Sequence, residues 1–325
     1  MTSTPVRPRS RDSVPGHPPA TSPAAPAAPR RRGVGPRLRR GLPALLLSLP
    51  VLVVFAYFAW GPIVRGLVMS FQRTNLVDDA EWVGLDNFAY VLGDPLLGTA
   101  VVNTLWFTVL ALVLGFPLPI ALAILLTELR RTRGLAAVLV YLPVVTPPVV
   151  AVLLWRTFYD PSATGLFNTV LGWLSLPPQP WLNSTASAMP AIVLEVTWAS
   201  AGSAVIIYLA SIASVRAELY EAAELDGAGI RSRIRHVTLP HLRGVILVML
   251  LLQVIGTTQV FTEPFLFTGG GPQNSTLTVL MLVYDYAFVR GDYGAATALS
   301  LLLALVLALL SVLYQVATRR WSADA

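Results

Sequence analysis

"EAAELDGAGIRSRIRHVTLPHL", residues 221 to 242, is a charged island between long apolar runs. It holds three acids and three arginines within 22 residues, in a chain that is 55% hydrophobic and only 12% charged. From Ser214 to Asp226 the residues are good helix formers. Leu219, Ala222, Ala223 and Leu225 give that helix an apolar face, and Glu218, Glu221 and Glu224 a polar one. Gly227 and Gly229 interrupt it. A second short helix, "IRSRIRHVTL", is expected to stop at Pro240, which lacks the amide hydrogen needed to continue. Small residues at Ala222, Ala223, Gly227, Ala228 and Gly229 permit a close approach by another surface. By charge alone the island is a solvated loop or a docking element for a partner, and the surrounding sequence must decide which.

A mean hydropathy of +0.66 over 325 residues is too apolar for a soluble domain, which needs charged surface to stay dispersed. The chain therefore reads as an integral membrane protein of the all-α class. Without Cys it has no disulfide, thiolate metal site or cysteine nucleophile. All 23 basic residues are Arg, so a phosphate-binding loop ending in Gly-Lys-Ser/Thr is excluded, and with it ATP hydrolysis through such a loop. The net charge of +6 comes from arginines beside apolar runs, which fits membrane topology better than nucleic-acid binding.

Residues 1–36 are Pro, Ala, Ser, Thr and Arg with almost nothing large to bury, and are expected to form a disordered cytoplasmic tail. Residues 37–325 are expected to form one transmembrane domain, with the charged island inside a cytoplasmic loop at 215–243. Gly41 to Val64 is free of charge for 24 residues, longer than the ~7–15 of a signal-peptide core, so it reads as an uncleaved span. A bilayer core of ~30 Å takes about 20 helical residues. Six apolar runs reach that length, centred on 42–64, 100–126, 134–155, 187–214, 244–266 and 294–318. A seventh candidate, Pro264 to Tyr284, is broken by "TGGGPQNST" and reads as a surface loop followed by a short, partly buried helix.

Six spans leave both termini on one side. Arginine decides which: residues up to 41, 128–133, 215–243 and the C-terminus hold 19 of the 23. The intervening segments hold Arg65, Arg73, Arg156 and Arg290, together with most of the remaining acids. Both termini and the island are thus expected on the cytoplasmic side of the membrane. Trp60, Trp82, Trp155, Trp173, Trp181 and Trp321 fall near span ends or in loops, where an indole suits the lipid interface.

Polar side chains inside spans mark candidate solute paths, because lipid exposes them at a cost. The fourth run carries Glu195, Thr197, Ser200 and Ser203; the fifth carries Gln253, Thr257 and Glu263. Gln253, Thr257 and Phe261 fall on one helical face, pairing hydrogen-bonding groups with an aromatic platform that sugar rings accept. Ordinary helix packing explains the serines and threonines equally well. Glu195 can instead pair with an Arg near a membrane face, and Glu263 is expected close to the outer surface. A polytopic enzyme lacks its catalytic set here: the only histidines are His17, His236 and His241, and no HExxH or nucleophile elbow occurs. "TGGGP" is no ion filter, given its Pro272 and its place in an external loop.

The spacing of the island resolves its reading. Glu-Ala-Ala, three residues, Gly227, nine residues, then Val237-Thr238-Leu239-Pro240 resembles the EAA loop of ABC importer permeases, with Val237 for the usual Ile as the one departure. "EWVGLDNFAYVLGDPLLGTAVVNTLWFTVLAL", "YLPVVTPPVVAVLLWRTFYDPSATGLFNTVL" and "LFTGGGPQNSTLTVLMLVYDYAFVRGDYGAATALSLLLALV" are similar to the carbohydrate branch of that family, so that the likeness covers roughly residues 80–310. "TGGGP" resembles the first permease of maltose and glycerol-phosphate type systems. The resemblance implies the type I importer permease fold with six transmembrane helices. It implies a second similar permease, two cytoplasmic ATPase subunits and an extracytoplasmic solute-binding protein as partners, with no cofactor. It also implies that Glu221 anchors a coupling helix in a cleft on the ATPase, that Gly227 makes its turn and that Leu239-Pro240 start the return, with Ala222, Ala223 and Asp226 in the same motif. Sugar contacts are implied on the fourth and fifth spans, which raises Ser200, Ser203, Gln253 and Thr257 as candidates beside Glu195. A non-sugar solute is the alternative expectation.

Overall fold

The computed structural model describes residues 46–129 and 131–322, so the expected tail at 1–36 lies outside the described residues. Helices dominate: α1 (Leu46–Met69), α2 (Asp86–Leu92), α3 (Pro95–Glu128), α4 (Arg133–Val145), α5 (Pro148–Phe158), α6 (Leu166–Trp173), α7 (Ala188–Ala213), α8 (Ala217–Leu225), α9 (Ile230–Thr258), α10 (Thr262–Thr268), α11 (Val279–Val289) and α12 (Tyr293–Ser322). Gln72–Arg73 pairs antiparallel with Glu81–Trp82 in a minimal hairpin. By contacts the chain divides at Ala59/Trp60. Before that point the helical residues Leu46 to Phe58 are exposed throughout.

Five helices are long and apolar enough to span a bilayer: α1, α3, α7, α9 and α12. The sixth candidate span is α4 with α5, and it is not one helix over the apolar run 134–155. The two halves are bent by 106° at Thr146-Pro147-Pro148. Consecutive prolines remove two amide donors and push the residue before each into extended backbone, as Thr146 shows at ψ 125°.

Other prolines are absorbed rather than obeyed. In α3 a wide π-turn over Ala111–Gly115 carries the Phe116 amide to the Ala111 carbonyl, five residues back at 3.0 Å, just before Pro117. In α9 another π-turn, Ile234–Thr238, sends the Leu239 amide to the Ile234 carbonyl just before Pro240. The expected stop at Pro240 is therefore corrected: the helix continues unbroken from Ile230 to Thr258.

At the centre stands α7, with 44% of its most apolar window buried, packed along α3 and touched by α4, α5, α9 and α10. Gly202 makes the approach of α4 possible, since a Cβ there would lie 2.5 Å from the Val140 carbonyl oxygen. One buried cluster, at the α8 end of α7, joins Ala123, Leu126, Val205, Tyr208, Ile212 and Leu242. A second, toward the other end, is aromatic: Phe107, Trp155, Tyr159 and Phe267 with Met189 and Ile192. Trp155 is 7% exposed there, so it is a core ring and not the interfacial one expected from its place in sequence. A third cluster packs α2 and α11 on α12 through Val91, Leu282, Tyr286 and Leu299. By contrast only 6% of the apolar window of α9 is buried, and none of that of α1. Surfaces so apolar and so open belong against lipid or another subunit.

Candidate functional site

In the charged loop, α8 ends where the sequence places its turn. Gly227 has φ +76°, the left-handed region that glycine enters without a steric penalty. The Gly227 amide donates to the Glu224 carbonyl at 3.0 Å and the Ala228 amide to the Ala223 carbonyl at 2.8 Å, the two bonds of a Schellman cap. The cap satisfies the last carbonyls of α8 and fixes the exit direction. Glu221, Ala222, Asp226 and Gly227 are exposed and Ala223 is half-buried. Leu225 is 90% exposed and Leu219 42%, so among the described residues little covers the apolar face of α8 around Leu225.

Beneath that open face the loop is tied down. Tyr220 and Thr238 share a hydroxyl hydrogen bond of 3.0 Å across the hairpin. Arg233, whose side chain is 17% exposed, forms an ion pair with Glu224 of α8 and another, at 3.6 Å, with Glu128 at the end of α3. Ser214 and the His241 Nε2 meet at 3.1 Å at the base. Leu239 and Pro240, exposed, lie inside α9 as part of its continuous rise. Sequence reasoning missed the Glu128–Arg233 contact, because no spacing rule links residues on two separate spans.

At the far end of α9 a cavity of about 380 Å³ opens between α7, α9 and α10. It gathers Ser200, Gln253 and Thr257 with Phe261 and Glu263, bringing together three of the five candidate path residues. Thr257 donates its hydroxyl to the Gln253 carbonyl at 2.8 Å, and Ser200 donates to the Val196 carbonyl at 2.7 Å. Helix α9 ends at Thr258, so Phe261 joins the cavity from the bend into α10 and not from a continuous helical face as expected. Ser203 does not line it. Glu195 lies behind it, 1% exposed, and the expected arginine partner is absent: among the described residues no ion pair involves it, and its Oε2 has no hydrogen-bond partner. Phe107, from α3, completes the apolar wall and was not foreseen.

The loops beyond the cavity are held by two asparagines. Asn103 donates to the Asn274 and Leu277 carbonyls at 2.7 and 3.0 Å, pinning the segment that follows "TGGGP". Asn168, 3% exposed, accepts from the Gln179 amide and the Trp181 indole at 2.9 Å each and donates to the Pro161, Ser162 and Gln179 carbonyls at 3.1 Å.

Residues 115–323 match the family described as "Binding-protein-dependent transport system inner membrane component". The chain belongs to that family. It is a multi-pass membrane permease of the ABC importer type, a transport subunit and not an enzyme. This permease is 32% identical over 270 residues to the arabinooligosaccharides transport system permease protein AraP of Bacillus subtilis (strain 168), covering 82% of this chain and 86% of that one. It is 31% identical over 270 residues to the trehalose/maltose transport system permease protein MalF of Thermococcus litoralis, with 83% and 91% covered. Its fold matches a chain of a bacterial ABC transporter involved in the import of the acidic polysaccharide alginate with TM-score 0.78 at 28% identity, covering 88% of this chain and 98% of that one.

Proposed function

We propose that this permease passes a saccharide across the cytoplasmic membrane as one half of a heterodimer with a second, homologous permease. Two cytoplasmic ATPase subunits drive it, and an extracytoplasmic binding protein delivers the solute. The concentration of arginine in the segments at 1–41, 128–133, 215–243 and the C-terminus supports a topology with both termini inside. Hydroxyl, amide and aromatic groups lining one cavity support a saccharide, as do relatives named for arabinooligosaccharides and for trehalose and maltose. Ser200, Gln253 and Thr257 are the path residues this cavity favours.

The observation that carries the coupling assignment is the pairing of an uncovered face with a braced frame. On α8, Leu225 and Leu219 stand open beside the exposed Glu221, while the Gly227 cap and the Arg233 bridges fix the loop from below. An element that transmits a displacement needs a free face for the driver and stiffness behind it. Glu221, Ala222, Ala223, Asp226 and Gly227 form the contact, and Leu239-Pro240 lead into α9. The test is Glu221→Ala combined with Gly227→Pro, which is expected to abolish ATP-driven uptake in proteoliposomes while the binding protein still binds its ligand. Uptake at the wild-type rate would sink the assignment.

A further inference from the structure

The cavity between α7, α9 and α10 has a charge sign as well as a shape. Glu263 puts a carboxylate on its wall beside the neutral groups of Ser200, Gln253, Thr257 and Phe261. Among the described residues no arginine lines it, and the chain contains no lysine. A second carboxyl group stands behind the wall: Val196 lines the cavity, and its neighbour Glu195 is 1% exposed with Oε2 lacking any hydrogen-bond partner. Arg156 lines two other cavities, of about 380 and 570 Å³, and Arg290 two more, but neither lines this one.

A charge in a partly enclosed site acts far more strongly than in water, because few solvent dipoles remain to screen it. An anionic solute entering this cavity meets repulsion and finds no guanidinium to pair with, and desolvating its charge adds to the penalty. A neutral sugar offers hydroxyl donors that a carboxylate accepts, and an ammonium group is attracted outright. We infer that this cavity sorts saccharides by charge, passing uncharged or amine-bearing ones and turning back those that carry carboxylate or phosphate, with Glu263 as the specificity-determining group. The inference rests on the saccharide reading above. It also parts this permease from its structural neighbour, whose solute is an acidic polysaccharide.

The experiment uses the complete importer in proteoliposomes, with its binding protein supplied outside. ATP-driven uptake is measured for radiolabelled neutral trisaccharides, a glucosamine trisaccharide and trigalacturonate. Uptake is expected for at least one neutral or amine-bearing probe, with trigalacturonate slower by roughly a hundredfold. Trigalacturonate carried at a comparable rate overturns the inference. Uptake of no saccharide at all sinks the saccharide reading instead. Since the binding protein also selects, Glu263→Gln assigns the effect: the ratio of amine-bearing to neutral uptake should fall by roughly fivefold or more, and Glu263→Asp, which keeps the charge, should restore most of it. A ratio that does not move between wild type and Glu263→Gln removes Glu263 from the role.

Discussion

Replacing Glu128 by Gln tests whether the charged loop and the second span move as one body. Arg233 reaches Glu128 at 3.6 Å, with side-chain exposures of 17% and 42%, and on its other side it pairs with Glu224. At an effective dielectric of about 20, two unit charges at that distance attract by roughly 4–5 kcal/mol before desolvation. Glu128 is nearly half in solvent, and screening leaves about 1 kcal/mol net, a factor of roughly five in a rate or equilibrium. Glu128→Gln is therefore expected to reduce solute transported per ATP hydrolysed about fivefold. Arg233→Gln, which cuts both bridges, should reduce it further.

The decisive measurement is the double-mutant cycle, because contacts shared by two residues do not add. Glu128→Gln with Arg233→Gln should be no worse than Arg233→Gln alone, giving an interaction energy of about 1 kcal/mol. Uptake and ATPase activity are read in the same proteoliposomes, so that a loss of folded protein lowers both and a loss of coupling lowers only their ratio. Two single effects that simply add, or an unchanged ratio in either single variant, would refute the reasoning.

Three further outcomes follow from packing. Gly202→Ala places a Cβ 2.5 Å from the Val140 carbonyl oxygen and 2.6 Å from Val144 Cγ2, an overlap costing about 1–3 kcal/mol or more; the detergent-extracted protein should lose its monodisperse peak on size exclusion, whereas Gly244→Ala, with no atom within 4 Å, should keep it. Asn168→Ala strips partners from the Trp181 indole and the Gln179 amide, about 1 kcal/mol for each part-buried hydrogen bond lost, and should lower the midpoint of thermal unfolding in detergent by several degrees. Gln253→Ala should raise the KM for uptake of the carried saccharide severalfold while transport per ATP hydrolysed stays constant, since the cavity is distinct from the coupling loop; a fall in that ratio instead would count against the assignment.

Charge and length made the spans legible: stretches of about 20 apolar residues can lie only across lipid or in a core, and the arginine-rich segments between them have one comfortable side. Spacing made the loop legible, because the left-handed turn at Gly227 is a local demand that only the sequence around it has to meet. The effect of each proline was not legible. Pro147 and Pro148 break a span, whereas Pro117 and Pro240 are carried inside helices by π-turns. The residue is the same in all four cases; at 147–148 two consecutive prolines hold Thr146 and Pro147 in extended backbone, whereas Pro117 and Pro240 each come just after a π-turn. Pairings across spans were hidden as well. An arginine was one alternative for Glu195, and among the described residues the fold brings none to it, while Glu128 received one that no local pattern announced.

The correction at Pro240 changes the mechanical argument. A helix ending there would have placed a joint between the charged loop and the fifth span, and a joint absorbs displacement. Instead α9 runs 29 residues without a break, about 43 Å of continuous helix. Arg233 stands near one end of it, bridged to α8 and α3, and Gln253 and Thr257 stand near the other on the cavity wall. Such a rod tilts as a unit, so a small push at the loop reaches the cavity without a chain of intermediate rearrangements. The sparse burial of α9 serves the same end, since a helix held by few contacts of its own chain is free to move against a neighbouring subunit. On the proposed assignment, loop and path are two ends of one element, and the wide turn at Ile234–Thr238 is what keeps it one.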